Sequence, residues 1–168
     1  MTFTANPSTL FSNPTYTSAN AVAQTTAQFK RLSVDDQLAA LWFIYKQLGR
    51  SITPAAPGAA RLQLAEGLLE QIKQMPPASQ LQVMRDLVLG TNTPLTRAYG
   101  VFSANTKLGF WYQLAELMKE GTVIPVPDNY KLSADAAQVI CAIERLEFNQ
   151  QITMLRNAVV DMGVDPLA

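Results

Sequence analysis

Residues 108–118 read LGFWYQLAELM, and within them Leu108, Trp111, Ala115 and Met118 recur at the three- and four-residue steps that share one helical face. An earlier stretch follows the same rule. Leu38, Leu41, Trp42 and Tyr45 fall at i, i+3, i+4 and i+7, so the chain's two tryptophans both sit on apolar helical stripes. Stripes of this kind predict helices, and they carry two readings: the packed interior of a helical bundle, or the wall of an elongated apolar site.

Working outward, Ser103 or Asn105 is placed to cap the 108–118 helix, and Gly121 closes it after Glu120. Thr93-Pro94 puts a cap before a proline at the first helical position, for a short helix to about Tyr99. The Pro-rich bend TPAAPGAA, residues 53–60, leads into a helix through about Met75. Pro76 and Pro77 end it, and Pro77 opens another to Leu89 before Gly90. Ser33 with Asp36 three residues on resembles a capping box, for a helix to Leu48 that stops with Gly49 left-handed. The helical pattern begins near Ala21, and residues 1–20, rich in Thr, Ser, Asn and Pro, read as an irregular arm. Downstream, Pro125 and Pro127 exclude a helix and most strand pairing in TVIPVPDNYKL, which leaves a loop with an apolar side. Ser133 starts a helix to about Leu146, and Asn149 caps a last one ending at Gly163. No alternating strand pattern and no internal repeat accompany these signals. The expectation is a single all-α domain over residues 21–168.

With 168 residues the chain has room for one domain with a real core. Thirteen Lys and Arg balance thirteen Asp and Glu, so the basic field that gathers nucleic acid or anionic membrane is missing. No apolar run approaches the ~18–20 residues of a membrane span. MTFTANP lacks the basic head and apolar stretch of a secretory signal, which makes the cytoplasm the expected location. There is no histidine and one cysteine, Cys141. An internal disulfide, an imidazole base and the usual structural zinc site are therefore excluded. Carboxylates or lysines could still catalyse, but no constellation of them points to a reaction, and a binding protein is expected in place of an enzyme.

Three further features bear on the choice between core and site. Val126, Pro127 and Tyr130 put rigid apolar surface on a loop where a simple bundle needs only a polar connection. Met84, Met118 and Met154 supply adaptable, polarizable side chains. Gly58, in PGAA, lets a backbone come close to a neighbour, and a tight helix entry explains it equally well. Arg156, among apolar residues in ITMLRNAVVDMG, is able to stack on a ring or π-system, or to lay its stem along apolar surface with its head in solvent.

The blocks LSVDDQLAALWFIYKQLG, AAPGAA, TNTPLTRAYG, NTKLGFWYQLAELMKEG, IPVPDNYKLSA and QQITMLRNAVVDMG, in this order, resemble the N-terminal domain of the orange carotenoid proteins and its stand-alone relatives, the helical carotenoid proteins. The resemblance runs from about residue 20 to residue 163. It implies two interleaved, discontinuous four-helix bundles enclosing an apolar tunnel for one non-covalent ketocarotenoid of the canthaxanthin, echinenone or 3′-hydroxyechinenone kind. The family's ligand-lining positions fall on Leu38, Leu41, Trp42, Tyr45, Gly58, Met84, Leu108, Trp111, Tyr112, Met118, Val126, Pro127, Tyr130, Thr153 and Arg156. Trp111 and Tyr112 would then hold the polyene, with Trp111 against one end ring.

The implied function is photoprotection by quenching of singlet oxygen. The implied partners are a separate homologue of the family's C-terminal domain as pigment donor, and the phycobilisome antenna as a docking site. Arg156 and Asn105 match family positions that face the C-terminal domain, and Arg156 also matches one used in antenna docking, so constitutive quenching of antenna excitation stays open as the alternative. Ala115 stands where the family has glycine, which would narrow the tunnel by a methyl.

Overall fold

The computed structural model describes residues 14–49 and 61–168. Among them are eight α-helices and no strand: α1 (Pro14–Arg31), α2 (Val34–Leu48), α3 (Leu62–Lys73), α4 (Pro77–Leu89), α5 (Pro94–Gly100), α6 (Ala104–Glu120), α7 (Ala134–Glu144) and α8 (Phe148–Val160). Local chemistry sets most of the ends. The hydroxyls of Ser33, Ser103 and Ser133 accept from the backbone N–H groups of Asp36, Thr106 and Ala136 at 3.3, 3.2 and 3.1 Å. Thr93 and Thr96 cap each other reciprocally. Gly90 and Gly121, at φ 66° and 80°, take the left-handed turn that ends α4 and α6.

Three boundaries depart from the sequence expectation. Helix α1 begins at Pro14, so residues 14–20 belong to it and not to an irregular arm. Proline fits a first helical position because its missing N–H is not needed there. Gly49 is right-handed at φ −56°, and its N–H continues the helical pattern to Tyr45 O. Close approach favours glycine there instead, since a Cβ would stand 2.6 Å from Tyr45 O and 3.0 Å from the Tyr45 ring. Helix α8 is capped by Glu147 with Gln150 in a reciprocal box, which leaves Asn149 inside the first turn.

The packing divides the helices into two groups of four. In one, α1 lies against α7 and α8, and α2 lies against α7; in the other, α3 packs on α6, α4 and α5, and α4 packs on α5. The second group is thus inserted into the chain between α2 and α7, which makes the first discontinuous, as anticipated. Contacts of α2 with α4 and α6, and of α6 with α8, join the two. Phe29, Ile72, Leu87, Phe110, Leu114, Met154 and Val159 are fully buried in the core.

A polar tie fixes the end of α8 to the inserted group. Trp111 Nε1 donates to the Tyr99 hydroxyl at 2.9 Å, and that hydroxyl donates to Val159 O at 2.9 Å. Beside it, Lys107 Nζ donates to Val160 O at 2.6 Å and Met162 O at 3.2 Å while standing 5.0 Å from the Tyr99 ring centre. A cation at a helix C-terminus complements both the unpaired carbonyls and the helix dipole. Burial lowers the Lys107 pKa, and Asp161 and Asp165 oppose that shift.

Candidate functional site

Between the two groups of helices lies a cavity of about 240 Å³, partly open to solvent. Close-packed protein interiors hold few voids larger than a water, so a space of this size is not a packing defect. Helix α2 contributes Leu38, Leu41, Trp42, Ile44 and Tyr45, and α6 contributes Leu108, Trp111, Tyr112, Ala115 and Met118. Leu81 and Met84 of α4, Leu155 and Val159 of α8, and the loop residues Ile124, Pro125, Val126, Pro127 and Tyr130 complete the apolar wall. Asp35 and Arg85 supply its charged edge. The ten steps from Asp35 to Tyr45 span about 15 Å of helix, so the cavity is elongated along α2.

The aromatic rings are fixed against one another. Tyr45 stacks on Trp42 with centroids 5.8 Å apart at 22°, and it meets Tyr112 edge-on at 5.6 Å and 71°. The Tyr45 hydroxyl donates to the Glu116 carboxylate, whose charge also acts on Tyr112. Burial first, and then Glu116, push both phenols above their ordinary pKa. At the other end of α2 the Tyr130 hydroxyl donates to Asp36 Oδ1 at 3.0 Å. Burial, the Asp36 hydrogen bond and the charges of Asp36 and Asp35 raise Tyr130 to about 12, with Arg85 opposing. Burial raises the Asp36 carboxyl, but hydrogen bonds from Ser133, Tyr130 and Ser33 outweigh it, and the group sits below its ordinary value. Asp36 therefore pins the proline loop to α2, and it uses its carboxylate on tertiary partners instead of closing a capping box.

Twelve of the fifteen positions expected from the sequence line this one cavity. Gly58 lies outside the described residues. Thr153 and Arg156 do not line it: the Thr153 hydroxyl is exposed and donates to Asn149 O at 2.9 Å, and Arg156 is half-buried with Nε unpartnered among the described residues. Helix α8 turns Leu155 and Val159 toward the cavity, which at about 100° per residue puts Thr153 on the far side. Met154 is fully buried in the core and off the wall. Among the described residues, no group of three or more Cys, Asp or Glu is placed to hold a metal, and no helix is long and apolar enough to cross a membrane.

Residues that the sequence reading passed over include Asp35, Ile44, Leu81, Arg85, Ile124, Pro125, Leu155 and Val159. Spacing carried a signal for several. Leu81, Met84 and Arg85 form an i, i+3, i+4 set, and Asp35 precedes Leu38 by three. The charges of Asp35 and Arg85 hid them from a search for apolar faces.

Residues 15–165 match the family model described as "Orange carotenoid protein, N-terminal". The chain belongs to the orange carotenoid protein N-terminal family. It is 61% identical over 170 residues to an orange carotenoid-binding domain-containing protein of Nostoc sp. (strain PCC 7120), covering 100% of this chain and 99% of that one. It is 51% identical over 152 residues to the orange carotenoid-binding protein of Limnospira maxima, covering 90% of this chain and 48% of the relative, so it spans about half that protein's length. Among solved structures, the orange carotenoid protein of Anabaena (Nostoc) sp. PCC 7120 binding canthaxanthin superposes with a TM-score of 0.81 at 52% identity, covering 89% of this chain and 48% of that one. The red carotenoid protein of the same organism, also binding canthaxanthin, gives 0.75 at 39% identity over 86% and 99%. The all-helical architecture of the chain is that of the orange carotenoid protein N-terminal family.

Proposed function

We propose that the chain is a carotenoid-binding protein that holds one ketocarotenoid, without a covalent bond, in the cavity between its two helical groups, and that it protects by quenching singlet oxygen. The observation that carries this is an elongated apolar cavity walled by the aromatic stripes of α2 and α6. An apolar wall of rigid rings suits a long, flat, apolar ligand, since burial contributes about 25 cal/mol per Å² of apolar surface. The relatives named for carotenoid and canthaxanthin binding support the same reading.

A conjugated polyene bound there would supply the photochemistry, accepting the excitation energy of singlet oxygen and releasing it as heat. The residues of the chain bind, orient and shield. Trp111 is fixed by its bond to Tyr99, Tyr45 by Glu116, and Tyr112 by its edge contact with Tyr45, so their rings line the cavity in set orientations. Action on the phycobilisome and loading by a separate C-terminal-domain homologue extend this proposal to partners; shortened fluorescence lifetime of isolated antennae on adding the protein tests the first.

The primary test is the visible spectrum of the protein from a host that makes ketocarotenoid, and again after incubation with canthaxanthin in detergent. A red-shifted band that co-elutes with the protein at one pigment per chain is the expected result. Folded but colourless protein under both conditions would sink the proposal.

A further inference from the structure

We infer that Arg85 recognises an oxygen on one end ring of the bound pigment, donating a hydrogen bond to a ring carbonyl at the polar end of the cavity and so selecting ketocarotenoids over their unoxygenated counterparts. This rests on the carotenoid reading above. Several side-chain donors on the cavity wall already have acceptors. Trp111 Nε1 goes to Tyr99, 2.9 Å away. The Tyr45 hydroxyl goes to Glu116, and that of Tyr130 goes to Asp36 at 3.0 Å. A carbonyl arriving in the cavity finds those donors already committed. Breaking such bonds would leave buried acceptors unpaired, at a cost that cancels the gain.

Trp42 Nε1 and the Tyr112 hydroxyl each keep one donor without an acceptor among the described residues, and Arg85 keeps more. Its Nε and Nη2 donate to the two carboxylate oxygens of Asp35 at 2.8 and 2.9 Å. A guanidinium carries five N–H donors in a planar fork. Three are therefore left, and among the described residues none of them has an acceptor. The two-point bond to Asp35 holds the plane of the fork in place. The pair joins α2 to α4 across the edge of the cavity, beside Tyr130. Both side chains keep a substantial exposure, 37% for Arg85 and 46% for Asp35. The ring would therefore meet a half-solvated rim, where water competes and selectivity is moderate. At the opposite end the Tyr112 hydroxyl stands near the Glu116 carboxylate, whose negative charge disfavours an incoming carbonyl oxygen.

The test is competitive loading of the purified protein with an equimolar mixture of canthaxanthin and β-carotene, followed by extraction and quantification of each pigment. The wild type is expected to favour canthaxanthin about threefold to tenfold, the range a single net hydrogen bond supports. Arg85→Met, which keeps an unbranched apolar stem and removes the donors, is expected to lower the ratio toward one while still binding pigment. Asp35→Asn breaks the two-point bond that fixes the fork and is expected to lower the preference without abolishing it. A wild type that takes both pigments equally, or an Arg85→Met variant with the wild-type ratio, overturns the end-ring proposal alone. Uptake of neither pigment overturns the carotenoid reading and this one with it. The resonance Raman C=O stretch of bound canthaxanthin in the wild type gives a second readout that needs no variant. A shift to lower frequency for one ring is expected, and two unshifted carbonyls would refute the contact.

Discussion

Ala115 gives a prediction whose sign separates a ligand cavity from an ordinary core. It lies on α6 between Trp111 and Met118, is 6% exposed, and faces the cavity. Ala115→Leu adds three carbons to that wall. In a close-packed core the extra bulk would destabilise by about 1–3 kcal/mol. Against an empty apolar cavity of about 240 Å³, each added carbon is buried without displacing a neighbour, at about 0.8 kcal/mol per methylene. Three give roughly 2.4 kcal/mol, and lost rotamer freedom takes back about 0.5–1 kcal/mol. The pigment-free variant is therefore expected to be more stable than the wild type by about 1.5 kcal/mol, or some 3–6 °C in Tm for a chain of this size. The same group stands in the path of the polyene, so pigment retained per chain should fall sharply. Thermal and urea unfolding of the apo-protein by circular dichroism, with pigment content measured in parallel, decides it. A less stable apo-protein, or a variant that still loads one pigment per chain, would refute the reasoning.

Trp111→Ala and Tyr45→Ala should weaken pigment retention while helicity in the far ultraviolet stays nearly intact, because both rings face the cavity; unfolding of either apo-protein would make them core residues first. Asp36 titrates below its unfolded value of 3.8, so its contribution to stability is present above that value and is lost as pH falls through the lower folded one. Urea midpoints followed into acid should show a loss that Asp36→Asn reduces. For Tyr130, raised from 10.0 to about 12, the contribution is complete below pH 10 and is lost toward 12, and Tyr130→Phe should remove that share of the alkaline loss. Gly100→Ala would place a Cβ 1.8 Å from Val164 O, so it should destabilise by about 1–3 kcal/mol. It should also release the Val164 amide, which bonds Thr96 O at 3.0 Å, to faster hydrogen exchange.

The two stripes that define α2 and α6 were legible because an apolar face repeats every three or four residues, whatever it faces. Serine and threonine caps, and the glycines after α4 and α6, were legible for the same local reason. Periodicity alone does not distinguish a packed face from a cavity wall, because both need the same side chains in the same places. What separates them is whether a facing residue fills the space, and that depends on the insertion of α3–α6 between α2 and α7. Thr153 and Arg156 illustrate the same limit from the other side. Their place on α8 is fixed by which of its faces meets α6, a tertiary fact that spacing within ITMLRNAVVDMG does not encode. Arg85 was missed because a charge on an otherwise apolar i, i+3, i+4 set reads as a break in the stripe, whereas Asp35, fifty residues away in sequence, makes it part of the wall.

The cavity also sets a demand on the rest of the fold. A closed void of 240 Å³ would cost on the order of 6 kcal/mol at about 24 cal/mol per Å³, a large part of the 5–15 kcal/mol typical of a whole domain. Opening to solvent reduces that cost, but collapse of the walls would still lower the free energy unless something holds them apart. The polar ties are placed to do this. Trp111 is tied to Tyr99, Tyr45 to Glu116, and the proline loop to Asp36. Pro125 and Pro127 stiffen that loop further by fixing φ. A pigment that fills the space then binds without first prising the walls open, which is the condition under which buried apolar area converts most fully into affinity. The apo-protein should therefore keep its helices and its Trp111–Tyr99 contact while melting well below the pigmented form, since a ligand that binds only the folded state stabilises by mass action. If apo and pigmented protein melt together, the walls are not held open at the protein's expense, and the network serves the core alone.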